Sequence, residues 1–136
     1  MRQVRARNER IQQVDLAGAV GDARALADAV EAAGGRVDRA RAALAAATAR
    51  RAAALATGAS SAALAREDRY LRRLRHELEA VQGERARAEA GLRGQQGAVE
   101  LARGRLAHAR TERELIERHF AAWRAERAKL AERRED

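Results

Sequence analysis

The chain has 136 residues, 46% of them apolar and 35% charged, with no proline, no cysteine and a formal net charge of +8. That length holds one domain, and the missing cysteines exclude disulfides, thiolate metal sites and cysteine nucleophiles. Much of the apolar share is alanine, which removes little area from water, so the composition argues against a thick globular core and for long helices.

The N-terminal stretch MRQVRARNERIQQVDL lacks the apolar core of a secretory signal. A first helix is predicted over about residues 3–57. Its apolar seam runs through Leu16, Ala19, Ala23, Leu26, Val30, Ala33, Val37, Ala40, Leu44 and Ala47, alternating steps of three and four as a coiled-coil face does. Val4 and Ile11 lie off this phase, so a register shift is expected at the extreme N-terminus. Next comes ATGASS (56–61), the one strong break. Gly58 can take the left-handed conformation that ends a helix, and Ser60 or Ser61 can cap the next one, giving a turn over 58–61. The uncharged run around it, AAALATGASSAALA (52–65), is too short and too rich in turn residues to span a bilayer. A cytoplasmic location is the expectation.

A second, longer helix is predicted over about residues 61–134, carrying an unbroken heptad. Its a positions are Leu64, Leu71, Leu78, Arg85, Leu92, Val99, Leu106, Arg113, Phe120 and Arg127. Its d positions are Glu67, Leu74, Val81, Ala88, Gln95, Ala102, Ala109, Ile116, Trp123 and Leu130. Fifteen of these twenty are apolar, with no change of phase, which predicts a left-handed coiled-coil seam. The expected fold is therefore all-α: one domain over 1–136, two long helices in an antiparallel coiled-coil hairpin, the second longer. Folding about residues 59–60 pairs Leu44 with Leu74, Val37 with Val81 and Leu26 with Leu92. Arg85 and Arg113, though at a positions, are expected to extend their charged heads to solvent. GLRGQQG (91–97) is a candidate bend, or a run of tolerated off-seam glycines.

The hairpin also places ELIERHFAAWRAERAKL (114–130), which holds the chain's only Phe and only Trp. Residue 1 should end near residue 118, leaving Phe120, Trp123 and Leu130 on a single-helix extension. An apolar stripe without an intramolecular partner is a binding surface. Arg113, Arg118, Arg124 and Arg127 flank it and complete the candidate partner-binding set.

Other chemistry has little support in the residues. His76, His108 and His119 are scattered and form no ligand set, so no metal or other cofactor is expected. Ser60 and Ser61 are accounted for by capping, Gly91, Gly94 and Gly97 match no phosphate-binding loop, and carboxylates on an exposed coiled coil lack a pocket to tune them. No enzymatic activity is expected. Of the 28 basic residues, 27 are Arg, interleaved with Glu and Asp as on a solvated mixed-charge helix surface. A basic rod for nucleic acid or acidic lipid is thus the least favoured class, and a self-associating structural coiled coil stays open.

Three stretches together resemble the FliJ/YscO (SctO) family of type III export stalk proteins: QVRARNERIQQVDLAGA (3–19), GASSAALAREDRYLRRLRHEL (58–78) with Tyr70, Leu71 and Leu74, and ARTERELIERHFAAWRAERAKLAERRED (109–136). The resemblance covers nearly the whole length, as pattern more than as motif. Family members usually continue into a short acidic tail, whereas this sequence reads Glu135–Asp136. The resemblance implies a non-enzymatic central stalk in flagellar or injectisome protein export, without cofactor. Its partners would be the hexameric export ATPase, the export gate and export chaperones, and it would sit in the cytoplasm at the membrane export apparatus.

Overall fold

The computed structural model describes residues 1–135, which form two helices, α1 (Arg2–Ala56) and α2 (Ser61–Glu135). They pack antiparallel as an all-α hairpin with α2 the longer. Asp136, the end of the acidic pair, lies outside the described residues. Between the helices Gly58 adopts φ +77°, which only a residue without Cβ takes at no cost. Its N–H donates to Leu55 O at 3.2 Å and that of Ala59 to Ala54 O at 3.0 Å, so two otherwise orphaned carbonyls at the end of α1 are satisfied. Of the two candidate caps it is Ser60 that acts, its Oγ accepting from Ala63 N at 3.2 Å.

The contacts divide the hairpin into two compact units. One comprises Arg24–Gly94 and contains the turn. Its buried residues are Ala33, Val37, Ala47, Leu71 and Leu74, all on the expected seams. Leu44 packs with Leu74 in one cluster, joined by Tyr70. Ala47 stands in the same cluster, and its small side chain lets the helices come close enough for Leu71 and Leu74 to be covered. Ion pairs brace the margin: Arg50 to Glu67 at 2.9 Å, Arg51 to Asp68, and Arg36 to Glu84 at 3.4 Å. The Arg51 bond, aided by the charges of Arg72 and Arg75, holds the Asp68 carboxyl below the usual carboxylate range. Arg85 pairs with Glu89 at 2.9 Å and its guanidinium lies over Gly34 of α1, so its head is only partly in solvent.

The other unit comprises Met1–Ala23 with α2 from Gln95 onward. Its buried apolar residues are Val99, Ala102, Leu106 and Ala109, again all on the α2 seam. Gln95 Nε2 donates to Ala19 O at 3.2 Å across the pair. Here the expectation of a register shift fails. The heptad of α1 continues unbroken to the N-terminus, and polar residues, Arg5, Glu9 and Gln12, take the inner positions while Val4, Ile11 and Val14 stay exposed. Glu9 is the reason. Only 7% exposed, it accepts from Arg113 Nη1 at 2.6 Å and Arg110 Nε at 3.4 Å, and Arg5 reaches Glu112 alongside. A rotation that buried Val4 and Ile11 would lose this charge-assisted network.

Candidate functional site

Along α2 every a and d position from Leu64 to Phe120 is buried or half-buried, and from Ala121 on every described side chain is exposed. The heptad does not change at that point; α1 ends. Trp123 is 47% exposed and Leu130 55%, at seam positions beyond Phe120, the last that a residue of α1 reaches. Glu126, Lys129, Leu130 and Arg133 line a shallow groove on this extension. From Ala121 to Glu135 the sequence holds five basic and three acidic residues, so the stripe is apolar with a basic rim. In general, an apolar stripe with a basic rim is complementary to an apolar helix face with an acidic margin.

The seven predicted residues do not form one set. Trp123, Leu130, Arg124 and Arg127 share the bare extension, and the Arg127 guanidinium stands 5.1 Å from the centre of the Trp123 ring. That contact shields part of the ring and aims a cation at anything docking beside it. Phe120 departs from the expectation. It is half-buried, and Arg2 reaches over its ring at 6.0 Å, so a long side chain of α1 covers part of it past the last paired turn. Arg118 is exposed and lies 3.8 Å from Glu114 on its own helix.

Arg113 departs most. Its head does not extend freely to solvent but is engaged by buried Glu9. Its Nε, 3.3 Å from Glu117 Oε1, has no hydrogen-bond partner of suitable geometry. A structural role follows, with an expected outcome. Arg113→Leu leaves Glu9 with only the longer bonds from Arg110 and Gln13, each at 3.4 Å, and should lower stability by about 1–2 kcal/mol, while Glu9→Leu with Arg113→Leu should recover the loss or exceed it. Urea midpoints of the two single variants and the double variant check this; wild-type stability for Arg113→Leu alone would contradict it.

Three features escaped the sequence reading. Glu9 was readable seven residues before Leu16, at a seam position. Val14 is exposed on the outer face of α1, while Leu101 and Leu115 are exposed on α2 at matching positions of their heptads. Counting leucines off the a and d positions would have found the latter pair. Neither Val4, 67% exposed, nor Ile11, 48%, covers the aromatic stripe. No protein-family model matches the chain, and no curated protein or solved structure is similar enough to count as a match. Among the described residues no helix is long and apolar enough to cross a membrane.

Proposed function

We propose that this chain is a non-enzymatic stalk of bacterial type III protein export, flagellar or injectisome. It binds the hexameric export ATPase through the free end of α2 and links it to the export gate. The observation that carries this reading is the seam continuing past the end of α1 with Trp123 and Leu130 bare. The three stretches resembling FliJ/YscO (SctO) proteins supply the identity of the partner. In this role the protein works in the cytoplasm at the export apparatus, also meets export chaperones, and acts by touching ATPase subunits unequally, without chemistry of its own.

Trp123→Ala with Leu130→Ala tests it. The side chains bury little within the chain, so the melting temperature should stay near wild type. Affinity for the export ATPase should fall by more than about tenfold, because large aromatic anchors dominate interface energies. Unchanged binding in a pull-down against the ATPase would refute the interface. A second reading has its own support. Met1, Val4, Ile11, Val14, Leu101, Leu115, Trp123 and Leu130, eight of the nine exposed large apolar residues, belong to the unit that holds the N-terminus. That concentration favours pairing of two copies. A light-scattering mass that doubles with concentration would select self-association over the stalk.

A further inference from the structure

We infer that the start of α2 beside the turn is a second docking surface, one that takes a flexible acidic polypeptide segment. The inference is independent of the stalk reading, because it concerns other residues and no aromatic anchor. Arg66, Arg69, Arg72 and Arg75 are all exposed, and among the described residues none of the four makes an ion pair. The acids that share the stretch are already engaged. Glu67 is held by Arg50 and Asp68 by Arg51, and Glu77 lies 3.7 Å from Arg73, while Glu79 stands past the last of the four arginines. Four guanidinium groups, each able to grip a carboxylate with two parallel N–H bonds, therefore face solvent without an ion-pair partner, Arg72 and Arg75 acting on Asp68 only through their charge.

The kind of anion follows from where they point. At about 100° per residue the arginines spaced by three sweep roughly half the circumference of the helix. A flat bilayer or a rigid duplex reaches one stripe of such a surface, whereas a flexible chain can wrap and reach all four. Two further observations point the same way. Among the exposed large apolar residues Leu55 is the sole one in this unit, and it lies on α1, so α2 offers a bilayer nothing to insert. The ring of Tyr70, the one aromatic of the stretch, already has the guanidiniums of Arg50 and Arg73 over it at 5.0 Å each, which blocks stacking on a nucleobase. Carboxylates on a pliable backbone are the ligand that remains.

Fluorescence anisotropy of a labelled glutamate-rich peptide of about a dozen residues, titrated with the full chain at low and at physiological ionic strength, reads the binding. Arg66→Gln, Arg69→Gln, Arg72→Gln and Arg75→Gln together should weaken it by about tenfold or more. A charge-matched control, Arg10→Gln, Arg24→Gln, Arg93→Gln and Arg105→Gln, should weaken it by no more than about twofold. Glutamine keeps the helix, and a circular dichroism melt confirms that both variants fold. A short DNA duplex and phosphatidylserine-containing vesicles complete the comparison. Equal loss in the two variants would reduce the effect to net charge and overturn the proposal. So would absence of peptide binding at low salt, or tighter binding of the duplex or the vesicles than of the peptide.

Discussion

Leu71→Asp should unfold the unit around the turn. Leu71 is 3% exposed and packs with Ala47 and Leu74 in the one compact apolar cluster of that unit. The seam is a single layer of side chains thick, so no second core compensates. An aspartate there must bury an unpaired charge or force the helices apart, and the cost should be about 4 kcal/mol or more, at the upper end for a point substitution. A circular dichroism melt should show a large loss of helix near room temperature. Leu55→Asp, at a site 57% exposed on α1, serves as control and should melt close to wild type. Leu71→Asp melting with wild type would mean that the seam register is wrong.

The second large effect runs in the opposite direction. Gly18, Gly21, Gly94, Gly97 and Gly104 all lie within the helices, and a Cβ added at any of them would meet nothing within 4 Å. No close approach of backbones requires them. Glycine within a helix costs roughly 0.5–1 kcal/mol relative to alanine. Changing all five to alanine should therefore add about 3 kcal/mol and raise the melting temperature by roughly 10 °C. Gly58→Ala should do the reverse and lose about 1 kcal/mol, because Gly58 sits at φ +77°. Thermal melts of the quintuple and single variants compare the two. If the quintuple variant gained nothing, these positions would owe their glycine to something other than tolerance.

These cases mark what could be read from the residues. Leu71, Leu74, Val99 and Leu106 were legible as core because seam periodicity depends on spacing alone, and the spacing never slips. The turn was legible because Gly58 and Ser60 have few other uses side by side. Glu9 was not. A glutamate at an inner position looks like the end of a seam until two arginines more than a hundred residues away are known to meet it. Phe120 and Arg113 were misjudged for a related reason: the last turn of overlap between two helices is fixed by a few residues of register, and Arg2 and Glu9 decided it. Trp123 and Leu130 were placed correctly on the bare extension, since one helix is longer than the other by more than that uncertainty.

The unbroken heptad of both helices also restricts how such a chain can change. Deleting one residue from the seam of α2 turns every later side chain by about 100° relative to α1, which would point Val99 and Leu106 at water. Deleting seven turns them by nearly two full revolutions and leaves the face almost where it was, about 20° off. The same seven must then leave α1 across the pair, or Glu9 would lose Arg110 and Arg113. Insertions and deletions that this hairpin tolerates should thus come in sevens and in matched pairs, one on each side of Gly58. Beyond Phe120, where α2 runs alone, no such arithmetic applies, and length there is not tied to the pairing of the helices.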